Sequence, residues 1–173
     1  MAAHLAKHRR YVEKVNELVH PDLEPGTTMV SVYLAALEEG DYQLFDAASQ
    51  AFYHALYWRC LDPDREGNDP SMRSTAQDMV ERGMQHFGSG WLCLVDQPRV
   101  KTYVQETVMN AERPTAETFG AGTVAFTTDL WEHAWYFDYP DGKREYLEGL
   151  LLGGYARWDV LDEPPETGGV WTP

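Results

Sequence analysis

Near residue 88 the spacing of apolar residues along this chain changes, and that change limits the folds open to it. Before it, apolar side chains recur with the helical period of about 3.6. In His4 to Val19 the residues Leu5, His8, Tyr11, Val12, Val15 and Val19 fall near that spacing, and Pro21, Pro25 and Gly26 end the segment. A second helix is expected from Thr28 to Glu39, closed by Gly40. A third, Tyr42 to Cys60, is dense in Ala and aromatics and apolar on most faces, so it should be buried. Residues 62–70 read as a polar turn, and a fourth helix is expected from Ser71 to His86. After that, Gly90 to Val95 and Arg99 to Met109, joined by a turn at Gln97-Pro98, are rich in Val, Tyr, Thr and Trp. They predict two strands, and Gly122 to Asp129 predicts a third. Tyr146 to Tyr155 returns to helix, and residues 163–173 are expected to lie loosely on the surface.

Helices followed by strands predict an α+β fold: an N-terminal α-helical hairpin, then a C-terminal domain with a three-stranded antiparallel sheet and helices. The expected domains are residues 1–70 and 71–173. A net charge of −14 argues against nucleic acid as a partner. The one basic cluster, Lys7, Arg9 and Arg10, reads as a solvated helix face. No apolar run approaches the ~18 residues needed to cross a bilayer, so no membrane partner is expected. The chain opens with no signal-peptide pattern, and a soluble, cytoplasmic protein is expected. Cys60 and Cys93 sit in apolar segments without metal-ligand spacing and read as small core residues.

The densest chemistry lies in Asp129-Leu130-Trp131-Glu132-His133-Ala134-Trp135-Tyr136. A strand end passing into a helical turn could aim Asp129 and His133 at one point. A carboxylate and an imidazole together suit a first-row metal. On spacing alone, a surface ion pair would serve as well. The aromatic area of Trp131, Trp135, Tyr136 and Tyr139 argues for burial, and a buried carboxylate needs a partner. His54 lies mid-helix in Gln50-Ala51-Phe52-Tyr53-His54-Ala55-Leu56-Tyr57-Trp58. It is either a core histidine satisfied by a backbone carbonyl or a ligand. Gln50, one turn earlier, points to the same side.

Two segments carry a specific resemblance. Phe87-Gly88-Ser89-Gly90-Trp91 with Leu92-Cys93-Leu94-Val95, and Asp129 to Tyr139, resemble the two signatures of the iron/manganese superoxide dismutases. Residues 50–58 resemble that family's second metal helix. Tyr11-Val12 with Asn16 resembles its first, and Trp158-Asp159 resembles its C-terminal end. The match runs in order over most of residues 4–160.

The resemblance implies one mononuclear metal per chain, iron with manganese as the alternative. It places ligands at His54, Asp129 and His133. For the fourth, N-terminal ligand, counting back from Tyr11 without a gap reaches Ala3, whereas aligning His4, Lys7 and His8 reaches His4 at the cost of one deleted residue. His4 is preferred, His8 is the fallback, and loss of this ligand stays open. Gln50 with Ala111 resembles the iron-type arrangement, in which a glutamine from the second metal helix bonds metal-bound solvent. Tyr11 would be the gateway tyrosine, and Trp91 and Trp131 would wall the site. Glu132 and Tyr136 resemble the residues that join two subunits, which implies a homodimer.

The sequence also departs from the family. Its N-terminal extended segment is expected to be missing, and the stretch from Pro70 to Phe87 is short. Phe52-Tyr53 stands for Trp-Asn, Cys93 for Trp, and Trp135 for Tyr. Three functions are compatible with this pattern. Superoxide dismutation would need a local cationic funnel, with Arg9, Arg10 and Arg157 as candidates. A repurposed metalloenzyme would oxidise an organic molecule. A scaffold would keep the fold without catalysis.

Overall fold

The computed structural model describes residues 2–19, 26–64, 69–114 and 122–163. Helix α1, Ala2–Leu18, turns His4, His8, Val12 and Val15 inward along one face. Helix α2, Met29–Glu39, opens on a capping box. Thr28 Oγ1 accepts the Ser31 N–H at 3.1 Å, and the Thr28 N–H donates to Ser31 Oγ at 2.9 Å. It ends at Gly40, which takes the left-handed conformation (φ 76°). Only Gly40 and Asp41 separate it from α3, Tyr42–Arg59, whose first turn is capped by Asp41 through the Leu44 N–H at 3.0 Å. As its composition requires, α3 is buried from Ala47 to Tyr57.

The chain forms two compact units, and the division falls inside α3. The first contains α1, α2 and α3 as far as Leu56; the second starts at Tyr57. The second unit opens with a 3-10 turn, Pro70–Met72, in which Asp69 caps Ser71 and Pro70 fills the position that needs no N–H donor. Helix α4, Arg73–Gln85, follows.

Strands β1 (Gly90–Gln97), β2 (Thr102–Met109) and β3 (Thr123–Asp129) make an antiparallel sheet in the order β2-β1-β3. The central strand is the most apolar and is buried from Gly90 to Val95. Its register sets Trp91 opposite Val108 on one side and Asp129 on the other. A one-turn helix α5, Glu132–Trp135, helix α6, Lys143–Leu151, and a 3-10 turn, Trp158–Asp162, complete the unit. Gly83 lets α4 approach closely: a Cβ there would lie 2.8 Å from Leu147 of α6 and 3.5 Å from Leu92 and Leu130.

The α+β class and its order of elements are as the sequence predicts. The edges differ for local reasons. Strand β1 runs on to Gln97, and β2 starts at Thr102 rather than Arg99. The turn takes in Lys101 at φ 53°, a conformation that cannot continue a strand. The final helix spans Lys143–Leu151 rather than Tyr146 to Tyr155, because Gly153 and Gly154 (φ 103°) stop it. Residues 164–173, expected on the surface, lie outside the described residues. Cys60 and Cys93 are both buried and form no disulfide. Among the described residues, no helix is long and apolar enough to cross a membrane.

Candidate metal centre

In the first unit the chemistry gathers around His54. Its ring is wholly buried, and its Nδ1 lies 2.7 Å from the Gln50 carbonyl oxygen. A carbonyl only accepts, so Nδ1 carries the proton and Nε2 holds the lone pair. The reading of this histidine as a core residue satisfied by a backbone carbonyl therefore holds at Nδ1. The backbone carbonyl satisfies one nitrogen and fixes the tautomer, which leaves the other nitrogen able to act as an acceptor or a donor to a metal.

Three α1 residues meet the same ring. His4 approaches it edge-on at 5.3 Å between centroids and 85° between planes. A ring nitrogen of His4 and one of His54 lie within 4.8 Å of each other. His8, one turn later, stacks on His54 at 5.7 Å and 12°. Burial lowers the His8 pKa; a hydrogen bond to Ala51 backbone opposes that, and nearby His4 adds to it. Tyr11 completes the face, its half-buried ring 5.4 Å from His54. Gln50 is 5% exposed, and its Oε1 has no hydrogen-bond partner among the described residues.

The second unit carries the other pair. Asp129 is the last residue of β3 and fully buried. One carboxylate oxygen accepts the Trp131 N–H at 2.8 Å, and the other lies 3.1 Å from His133 Nε2. The backbone thus orients the carboxylate, while α5 swings His133 round to its second oxygen. That separation suits an ion pair; it also suits two donors on one ion, since metal–ligand bonds of about 2.0–2.2 Å put adjacent donors roughly 3 Å apart. Trp91 stands across the ladder from Asp129, and the Trp131 ring lies 5.8 Å from His133.

Two residues of this region escaped the sequence reading. Tyr57 and Tyr146 are buried and joined hydroxyl to hydroxyl at 3.0 Å, and Tyr57 lies 6.4 Å from Trp91. Burial pushes both phenol pKa values up, and Asp129 adds to the shift in each. The only signal in the sequence was the place of Tyr57, three residues after His54 on α3.

Other expectations change. The aromatic run after Asp129 is only partly buried. Trp131, Trp135 and Tyr139 are half-covered, but Tyr136 is 63% and Phe137 87% exposed. One turn of helix is too short to fold both faces inward. Glu132 is exposed as well. Arg157, a candidate for the cationic funnel, donates to Glu163 at 2.7 Å, whereas Arg9 and Arg10 stand exposed on α1. Ala111, Phe52, Tyr53 and Cys93 are buried as core residues, with the Cys93 thiol 3.6 Å from the Thr127 hydroxyl.

Residues 69–163 match the family model for the C-terminal domain of iron/manganese superoxide dismutases. A protein of Coxiella burnetii named superoxide dismutase (Fe) is 31% identical over 171 residues, covering 91% of this chain and 83% of its own length. One of the same name from Synechocystis is 30% identical over 172 residues, with the same coverage. The Escherichia coli K12 protein of that name is 28% identical over 158 residues, covering 84% of this chain and 78% of its own.

Proposed function

The chain belongs to the iron/manganese superoxide dismutase family, and on that premise we propose that it converts superoxide to dioxygen and hydrogen peroxide at one iron held by His4, His54, Asp129 and His133. The observation that carries the ligand set is the pair Asp129–His133, 3.1 Å apart, with the second carboxylate oxygen held by a backbone N–H. The donor chemistry fits. Three imidazoles and one carboxylate suit iron or manganese better than the all-oxygen shells of calcium or magnesium. The relatives' names favour iron. Bound there, an iron alternating between +3 and +2 would supply one oxidising and one reducing electron step.

The chain's own residues do the rest. The Gln50 carbonyl fixes the His54 tautomer, and the Trp131 N–H fixes the Asp129 carboxylate. The Gln50 amide is assigned to hold solvent by hydrogen bond, which its buried Oε1 supports. Tyr11 is assigned to guard entry and pass protons through its hydroxyl. His4 is preferred to His8 because it meets His54 edge-on, whereas His8 lies parallel to that ring. Arg9 and Arg10 are the cations left to attract an anion to a chain of net charge −14.

A homodimer belongs to the same reading. Exposed Tyr136 and Phe137 beside Glu132 are apolar area that a second copy would cover. A cytoplasmic setting is in keeping with two buried thiols and no disulfide. Elemental analysis of the purified protein with a superoxide assay tests the function. About one iron per chain and metal-dependent superoxide loss are expected. Protein without metal after growth in medium replete in iron and manganese overturns the ligand set; metal without activity overturns the reaction.

A further inference from the structure

In the second unit, the buried tyrosine pair continues in both directions. Inward, the Tyr57 ring lies 6.4 Å from the Trp91 ring at 63°. Trp91 is wholly buried and stands across the ladder from Asp129. Tyr57 and Tyr146 are joined hydroxyl to hydroxyl at 3.0 Å. Outward, the Tyr146 ring meets the Tyr139 ring edge-on at 5.4 Å and 64°. Trp91, Tyr57, Tyr146 and Tyr139 thus form a row of neighbouring rings, from beside an assigned ligand to a half-exposed phenol.

Every ring in this row can give up a single electron, which a phenylalanine in its place could not do as readily. The positions differ in what becomes of the phenol proton. Tyr57 and Tyr146 are buried away from water, and burial makes their hydroxyls hold the proton more tightly. An oxidised state does not come to rest on a phenol that keeps its proton. Tyr139 is half-exposed, so water can take the proton there. Asp138 and Glu145 also place negative charge near it, which stabilises the positive charge that oxidation creates before the proton leaves.

We propose that this row is an electron path along which Trp91, oxidised beside the metal centre, is restored from Tyr139, and that it gives the chain a second activity: peroxide-dependent one-electron oxidation of a small thiol at its surface. The proposal rests on the reading of the site as an iron centre. Its oxidant is hydrogen peroxide, the product of the reaction assigned there. Reducing one hydrogen peroxide to two waters takes two electrons and two protons. The reduced iron gives one electron, Trp91 gives the other, and solvent gives the protons. The Trp91 radical cation then takes an electron from Tyr139 through the hydrogen-bonded pair, which is left unchanged, and Tyr139 loses its proton to water. The Tyr139 phenoxyl radical recovers a hydrogen atom from the thiol, which leaves as a thiyl radical.

Spin trapping on the full-length protein as purified tests this, with adducts located by peptide mass spectrometry. With hydrogen peroxide, Tyr139 should carry the adduct ahead of Tyr42 and Tyr136, although those are 68% and 63% exposed. Tyr146→Phe and Tyr57→Phe, which each break the hydroxyl link from one side, should lose the Tyr139 adduct and accumulate oxidised Trp91 instead. Added cysteine should give thiyl adducts with the unsubstituted chain and none with Tyr139→Phe, a change at a half-exposed position. Adducts ordered by exposure, a Tyr139 adduct unchanged in both link variants, or thiyl adducts that survive Tyr139→Phe would each overturn the proposal. A second arm replaces peroxide by an ultraviolet pulse that ionises indoles and needs no iron. A Tyr139 adduct that appears there, is lost in Tyr146→Phe and is missing from the peroxide arm upholds the path and overturns the iron reading. No Tyr139 adduct in either arm overturns the path itself.

Discussion

The two donor pairs are held by different means. In the first unit, His4 and His54 sit on separate helices, and His8 and Tyr11 join them by stacking rings against His54. The His54 ring is fixed by the Gln50 carbonyl of its own helix, and His4 lies in the first turn of α1. In the second unit, Asp129 and His133 are four residues apart, at the end of a strand paired to the buried center of a sheet. A backbone N–H two residues on orients the carboxylate. The first pair relies on helix faces and ring packing, the second on ladder register and a local turn. The contrast teaches that buried polar side chains can be placed either by the packing of rings across helix faces or by backbone hydrogen bonds within one turn.

Removing a fixed ligand from either unit should produce the largest effect. His54→Ala and Asp129→Ala are each expected to empty the site of metal and to lower stability by about 4 kcal/mol, because binding is linked to folding. Elemental analysis and thermal melting check this. Unchanged metal and melting temperature in both variants would break the comparison at its root.

Next comes the sheet that carries Asp129. A Cβ on Gly90 would collide with the Val108 carbonyl oxygen and the His86 ring. The first of these is backbone in the β1–β2 ladder and has nowhere to go. Gly90→Ala should therefore cost roughly 3 kcal/mol by overpacking. In the first unit, Gly40→Ala meets open space and costs only the left-handed strain at φ 76°, about 1–2 kcal/mol. Urea unfolding of the two variants compares them, and equal losses would erase the distinction between ladder and helix cap.

How much of this was legible follows the same division. The Asp129–His133 pair could be read because a strand-to-helix turn and a spacing of four are local facts. The caps at Thr28, Asp41 and Gly40 mark helix ends with residues whose side chains or backbone do the capping themselves. His54 was visible as an anomaly in an apolar helix. The preparation of its ring by the Gln50 carbonyl was not, since a main-chain acceptor leaves no trace in residue identity. Lys101 at positive φ hid the start of β2, because lysine carries no turn signal. The contacts that bring Tyr57 to Tyr146 and Arg59 to Glu163 join residues 89 and 104 apart, and no periodicity encodes them. Arg157 read as a candidate for a cationic funnel, and its bond to Glu163 stayed hidden for the same reason.

A smaller effect is expected at the N-terminal ligand. The first N–H groups of a helix have no acceptor within it, so the first turn of α1 is the least secured part of the centre. His4→Ala should weaken metal binding less than His54→Ala does, and His8→Ala should change it little. Competition with a chelator measures all three. A loss of binding on His8→Ala with none on His4→Ala would exchange their roles.

The smallest effect lies beside the sheet and depends on pH. His86 closes α4, and its carbonyl accepts the Lys143 ammonium at 2.7 Å. Burial lowers the pKa of its ring from the ordinary 6.5; a bond to the Ser89 backbone opposes this, and the Lys143 charge adds to it. The sign follows from proton counting. Below about pH 6.5 the unfolded histidine takes up a proton that the folded one still refuses, so the unfolded state binds more protons. Stability therefore falls as pH drops from 6.5 toward the lowered folded pKa, and levels off below it. His8 in the first unit shifts in the same direction through its own burial, so the unsubstituted chain alone cannot separate the two. His86→Asn can: the difference between its melting temperatures at about pH 7 and pH 5 should be smaller than that of the unsubstituted chain. Hydrogen exchange should place the acid-induced loosening of the unsubstituted chain in residues 86–90, where the ring packs against Gly90 and next to β1. An unchanged pH dependence in His86→Asn would assign the acid response elsewhere.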